Sequence, residues 1–355
     1  MKNEALIRDP VFQSNLLLWM VKEQPSTGYR IRPFFFENGF RLVYIEQPFA
    51  FPEEIARAIE ASTLNISKAP EPEMILARDT DKKGLYFEAK ADSFTPDSSN
   101  SKQARGHLLA CGTAFAETLT PLQLALLCYL VPKDCCPPMA ECLANLTTEL
   151  QSAALAPGPH SVHGLEVVAR DLVYTWDNAF KQHSGATEDS VAVLHELQDD
   201  TDPSPLLLVF SDQDCPNQER AGYYRRVLIN QVIAKLVSDL NLLPIEQTYT
   251  ITARELLQQT TDGTLNYLAL DRQRNMIRIV RKNIFDRIAS FWRDKSFSPV
   301  QLEADRLQIN FKDNLAKGEL MDWLEDPKRT AFTDQLPPSD QPLLPGIEPP
   351  QERVT

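Results

Sequence analysis

The chain has 355 residues, of which 49 are Asp or Glu and 36 are Lys or Arg, for a formal charge of −13. That balance excludes a protein that coats nucleic acid with its whole surface, but it leaves room for a local basic groove, because charges act over a Debye length of ~8–10 Å. The length fits two domains of ~100–200 residues. No apolar run is long enough to cross a bilayer, and the six cysteines have no C-x-x-C spacing and read as reduced thiols. The opening M-K-N-E-A-L-I-R-D-P carries no signal-like apolar region, which predicts a cytoplasmic protein with no membrane partner.

Residues 10–24 have helical periodicity, and residues 30–47 turn β-like. Asn38-Gly39 between apolar runs predicts a hairpin there, since a type I′ turn needs positive φ at both central positions. A short helix follows over 52–64, then two strands, P-E-M-I-L-A-R (72–78) and G-L-Y-F-E-A-K (84–90), joined by a turn-like D-T-D-K-K. A polar loop leads to a helix over 101–117, a buried strand over 124–131, a helix from Pro137 to Ser152 and a strand over 164–176. Polar residues 177–204 suggest a boundary, giving domains of 1–185 and 186–330. The second half reads as a strand at 205–210, helices at 219–240 and 252–260, a hairpin at 265–282 and a helix at 283–293. The Pro-rich residues 331–355 read as a disordered tail.

The paired strands carry the chemistry. If the turn is centred between Thr80 and Asp81, Met74 faces Phe87 and Leu76 faces Leu85 on an apolar side, while Ile75 meets Tyr86 and Glu73 meets Glu88 on the other. Lys90 projects from that second face two residues on, about 6.5–7 Å along the strand. Directly opposed like charges, ~4.5–5.5 Å apart at Cβ, are destabilising. A divalent cation supplies the missing reason, because Mg²⁺ is commonly held by one or two carboxylates with waters and substrate phosphate.

Pro72-Glu73, then Glu88-Ala89-Lys90, then Gln103 on the next helix resembles the PD-(D/E)XK nuclease superfamily, in its members related to RecB nucleases and Holliday-junction resolvases. The likeness covers residues 30–176. It implies a mixed-sheet, restriction-endonuclease-like α/β core with helices on both faces. It further implies Mg²⁺ or Mn²⁺ held by Glu73, Glu88 and the Ala89 backbone carbonyl. Lys90 would be the catalytic lysine, Gln103 would position water or phosphate, and Glu54 would be an upstream acid. Glu73 stands where Asp is usual. The function implied is metal-dependent hydrolysis of DNA in a bacterial restriction or anti-phage setting. The tripeptide alone is uninformative: at ~6% usage of Glu and of Lys, one E-x-K arises by chance in such a chain.

Arg105 and His107 share the helix of Gln103 and are candidates for phosphate contact. Residues 271–295 hold eight Arg or Lys against three Asp. With Y-T-I-T-A-R-E-L-L-Q-Q (249–259) as the helix of a winged-helix-like C-terminal α+β domain and 265–282 as its wing, Arg272, Arg274, Arg278, Arg281 and Lys282 would meet phosphate. His160 and His163, in P-H-S-V-H, read as loop residues lacking a third metal ligand, and Asp212 and Asp214 as a polar strand end. No phosphate-binding Gly-rich loop is present, so any ATPase activity would come from a protein partner, which together with a homo-oligomer is also a source of basic surface. Two alternatives are an inactive nuclease-fold subunit serving as a DNA-binding or assembly platform, and a winged-helix regulator.

Overall fold

The computed structural model describes residues 7–21, 34–93, 99–113, 123–169, 171–186, 191–195, 218–261, 263–293, 295 and 298–326. The chain divides into two units, Met1–Pro216 with Leu257–Met276, and Asn217–Leu256 with Ile277–Thr355. The strand expected at 205–210, the pair Asp212 and Asp214, and the tail at 331–355 lie outside the described residues.

The first unit is built on a seven-stranded mixed sheet whose spatial order follows the chain. Its strands are β1 (Phe40–Ile45), β2 (Met74–Arg78), β3 (Lys83–Ala89), β4 (Gln123–Pro132), β5 (His160–Val168), β6 (Asp171–Thr175) and β7 (Val191–His195). β3, β4 and β5 are parallel, and the flanking pairs are antiparallel. The central strands are apolar on both sides, as expected of strands covered by helices. β2 and β3 have the predicted register, with Met74 opposite Phe87, Ile75 opposite Tyr86 and Leu76 opposite Leu85. The turn between them places Lys82 at φ +57°.

Helices lie on both faces. On the Tyr86 face, α4 (Ser99–Gly112) and α5 (Cys136–Ser152) join α3 (Glu53–Ala61) in one core with Ile75, Tyr86, Leu127, Tyr129 and Val131. α5 buries Met139, Cys142, Leu143, Leu146 and Leu150, a helical stripe. On the Phe87 face, Phe35 from α2 (Phe34–Glu37), Trp176 and Phe180 from α6 (Asn178–Ser184) pack as an aromatic cluster against Phe87. Burying each such side chain stabilises by about 1.5–3 kcal/mol. α1 (Pro10–Met20) packs near β3.

Residues 34–37 are helical, which corrects the hairpin expected at Asn38-Gly39. Only Gly39 takes positive φ (+77°), so no type I′ turn forms. Instead Asn38 Nδ2 donates to Phe34 O at 2.7 Å and Gly39 N to Phe36 O at 2.8 Å, ending the helical turn. The aromatic cluster overrides the β preference of Phe-Phe-Phe. Residues 160–176 form two strands with Ala169 at φ +57° between them, and His160 and His163 sit in β5 rather than in a loop. β7 joins the same sheet, so the sheet continues past residue 185.

The second unit contains α7 (Gln218–Leu242), β8 (Thr248–Thr252), the start of α8 (Ala253–Thr260), and the end of α9 (Leu270–Val280). A π turn (Arg281–Phe285), α10 (Asp286–Arg293), β9 (Val300–Glu303), β10 (Arg306–Asn310) and α11 (Asn314–Glu325) follow. Thr252 and Glu255 form a capping box: Glu255 N donates to Thr252 Oγ1 at 3.1 Å and Thr252 N to Glu255 Oε2 at 2.8 Å. The three strands are antiparallel in the order β8-β10-β9. The hairpin expected at 265–282 is therefore a correction: that segment is a 3₁₀ turn and a helix. Its buried residues Gln273, Met276 and Val280 recur at three- and four-residue spacing, the mark of a helix. The hairpin of this unit is β9–β10 instead, turning at Ala304 (φ +50°).

Among the described residues, no helix is long and apolar enough to cross a membrane. The five described cysteines are free thiols.

Candidate active site

Three acids stand in one row at one end of neighbouring strands. Tyr44 of β1 pairs with Ile75 of β2, and Ile75 with Tyr86 of β3. The next positions of the three strands are Glu46, Glu73 and Glu88. Backbone bonds tie them together: Glu46 N reaches Pro72 O at 3.1 Å and Glu73 N donates to Phe87 O at 3.1 Å. Glu46 itself is held at φ +44°, an uncommon conformation for a residue with a Cβ.

Glu88 is the most enclosed of the three, 3% exposed. Its Oε1 pairs with Lys90 Nζ at 2.5 Å, and its Oε2 faces Nε2 of the fully buried His107 at 3.4 Å. His107 Nδ1 lies 2.5 Å from the hydroxyl of Tyr86, itself on the Glu88 face of β3. Glu73 accepts a hydrogen bond from Ser14 Oγ of α1 at 2.7 Å. Gly106, beside His107, lets α4 approach the 65–70 segment: a Cβ there would stand 2.9 Å from the Ser67 carbonyl oxygen.

The electrostatics are graded along the row. Burial opposes charge on Glu88, but His107 and then Lys90 outweigh it and hold its carboxyl down to about 2. Burial, followed by the Glu88 charge, pushes Glu73 up to about 7, against the pull of Lys90, Ser14 and Arg272. Burial and then Glu73 push Glu46 up to about 8. Burial lowers Lys90, yet Glu88 and Glu73 more than compensate and keep it a cation. Lys90 thus answers to both acids, and its side chain remains 19% exposed, within reach of solvent.

The other sequence candidates scatter. Gln103 is exposed near the start of α4. Arg105 is engaged in the fold, donating to Glu149 at 2.9 and 3.1 Å and to Asn65 O at 3.0 Å. His107 serves Glu88 from the core. Glu54 is exposed in the first turn of α3, and Glu46 is the acid that adjoins Glu73. Arg272 lies 3.7 Å from Glu71, within the first unit, and bears on Glu73 and Glu46. Arg274, Arg278 and Lys282 are exposed on their helix, and Arg281 pairs with Asp286 at 3.7 Å. Sequence reasoning missed Ser14, Glu46 and the Tyr86–His107 pair. Extending the row of Glu73 and Glu88 to the preceding strand points to Glu46, whereas nothing in the sequence marks Ser14.

The chain matches no family model, no curated protein and no solved structure. Among the described residues, no three His, Cys, Asp or Glu side chains gather closely enough to hold a metal ion by themselves. The donor set here is two carboxylates beside a lysine, with Glu88 Oε1 on the side of Lys90 and Oε2 closed off in the core. Two carboxylates suit a Mg²⁺-type ion that keeps waters and takes substrate oxygens.

Proposed function

We propose that the first unit is a metal-dependent nuclease with a restriction-endonuclease-like core, acting on DNA phosphodiesters. One observation carries the reading: Glu73 and Glu88, brought face to face by the β2–β3 register, both act on Lys90, the arrangement expected of a PD-(D/E)XK site. The helix following β3 and the parallel return to β4 agree with that core.

Glu73, Glu88 and the carbonyl of Ala89 would hold Mg²⁺ or Mn²⁺. Such an ion, when bound, lowers the pKa of a bound water and neutralises charge on the scissile phosphate. The remaining work falls to the chain. Lys90, cationic and partly solvent-facing, donates hydrogen bonds to the attacking water and to the phosphoryl oxygens as negative charge develops. Ser14 fixes one oxygen of Glu73, while Glu88 is enclosed between Lys90 at Oε1 and the buried His107 ring at Oε2.

The second unit supports a DNA-contacting role. Its elements run α7, β8, α8, α9, α10, β9, β10 and α11, with sheet order β8-β10-β9, and we read the strand–helix–hairpin part of this run as resembling a winged helix. Arg278 and Lys282 are exposed on one helical face and would meet phosphate.

The test incubates the protein with Mg²⁺ or Mn²⁺ and supercoiled, linear or single-stranded DNA, or RNA, beside Glu88→Ala and Lys90→Ala. Cutting by wild type and by neither variant supports the reading, and equal cutting by all three removes it.

A further inference from the structure

The two oxygens of Glu88 have unequal surroundings. Oε1 takes Lys90 at 2.5 Å, on the side that reaches solvent. Oε2 is shut away from water, and the group facing it is His107 Nε2 at 3.4 Å. The imidazole is fixed in turn by the Tyr86 hydroxyl at Nδ1 and stands edge-on to the rings of Tyr86 and Tyr129. The hydrogen bond between the Tyr86 hydroxyl and Nδ1 holds the imidazole ring in place. Held in this way, Nε2 and Oε2 face each other at 3.4 Å in the core, both closed to solvent. Tyr86 on β3 and His107 on α4 thus enclose one carboxylate oxygen, which points inward.

We propose that His107, backed by Tyr86, sets the cation selectivity of this site by leaving Glu88 only Oε1 to offer a divalent ion. The inference rests on the reading of Glu73 and Glu88 as the ion-holding pair. Ca²⁺ takes 6–8 oxygens at ~2.3–2.6 Å and often uses both oxygens of one carboxylate, whereas Mg²⁺ demands near-octahedral geometry at ~2.0–2.1 Å and retains its waters. A carboxylate pinned to one free oxygen, beside a lysine that already claims part of it, favours the smaller ion. His107 is a positioning residue. It is wholly buried and acts through Glu88.

The experiment measures Mn²⁺ binding to the full chain by electron paramagnetic resonance at pH 8, with Ca²⁺ as competitor. Wild type, His107→Leu, His107→Gln and Tyr86→Phe are compared, with circular dichroism as the check on folding. Releasing a carboxylate from its outer partner changes metal affinity by about 10–100-fold. The prediction is that His107→Leu shifts the Mn²⁺/Ca²⁺ preference towards Ca²⁺ by roughly tenfold. His107→Gln, which keeps an N–H donor, should stay close to wild type. Should His107→Leu fail to fold, Tyr86→Phe carries the test, with a smaller shift in the same direction. An unchanged Mn²⁺/Ca²⁺ ratio in the folded variants overturns the selectivity role while leaving the ion-holding pair intact. A wild-type protein that binds no Mn²⁺ overturns the ion-holding pair, and the selectivity role with it.

Discussion

Two histidines, His107 and His163, are equally buried on opposite faces of one sheet, yet their surroundings differ. His163 stands among Trp176, Tyr174 and Phe180, with Ser161 Oγ at 2.7 Å from Nε2 and, among the described residues, no carboxylate paired with it. Burial alone presses its pKa down to about 3, so it is a neutral polar member of an aromatic core. His107 occupies an equally enclosed place but faces a carboxylate, which faces a lysine, which reaches solvent. Burial is thus no guide to function here. A buried polar group with a path of charged partners out to the surface belongs to a site, and one ringed by aromatic groups belongs to the core.

The largest effect should fall on the charged path. Glu88→Ala or Lys90→Ala should lower DNA cleavage by at least about 10²–10³-fold, the loss typical of removing one preorganised electrostatic group. Circular dichroism of each variant separates this from unfolding. Retained cleavage would place the chemistry elsewhere.

On the aromatic face the expected loss is of a different kind. His163→Ala opens a cavity among large rings and should cost about 2–4 kcal/mol of stability by urea unfolding. Mn²⁺ affinity of the folded fraction should stay at the wild-type value. A His163→Ala protein with wild-type stability and weakened Mn²⁺ binding would invert the comparison.

The pH dependence follows from Glu73, whose folded pKa is raised to about 7, chiefly by burial and then by Glu88. A raised carboxyl favours folding below its unfolded pKa, and that contribution is lost as pH rises through about 7. Glu73→Gln should therefore melt above wild type at pH 8, and the gap should close towards pH 5. Adding Mn²⁺ at pH 8 should raise the Tm of wild type and leave Glu73→Gln nearly unmoved, because ion binding favours the charged carboxylate. A Tm difference independent of pH would show that Glu73 is not held at this elevated pKa.

The smallest effect separates Arg105 from the DNA-facing candidates. Its guanidinium is only 9% exposed and is consumed by Glu149 and Asn65, so Arg105→Ala should cost about 1–3 kcal/mol of stability. DNA affinity at fixed salt should be unaltered by that change, whereas Arg278→Ala with Lys282→Ala should weaken it and flatten its salt dependence.

The β2–β3 pair was legible because a four-residue turn and strict alternation leave one register that buries Met74, Leu76, Leu85 and Phe87 together. From that register the opposition of Glu73 and Glu88 followed. The role of His107 was not legible, because spacing along α4 says which residues share a stripe but not that the stripe faces Glu88. Phe34 to Glu37 misled for a physical reason: three aromatic residues before Asn-Gly look like a strand until the rings of Trp176 and Phe180, from far along the chain, recruit them into a helix. The strands at Val300–Glu303 and Arg306–Asn310 were hidden by a polar E-A-D-R turn, while the arginine-rich stretch before them drew attention as a wing.

A crystal soaked in Mn²⁺ at pH 8 and measured at the manganese absorption edge tests the central claim most directly. An anomalous peak bonded to oxygens of both Glu73 and Glu88, with Lys90 displaced from Glu88 Oε1 yet still beside the ion's waters, is the predicted result. A map without such a peak at millimolar Mn²⁺, with Lys90 and His107 still closed on Glu88, would contradict it.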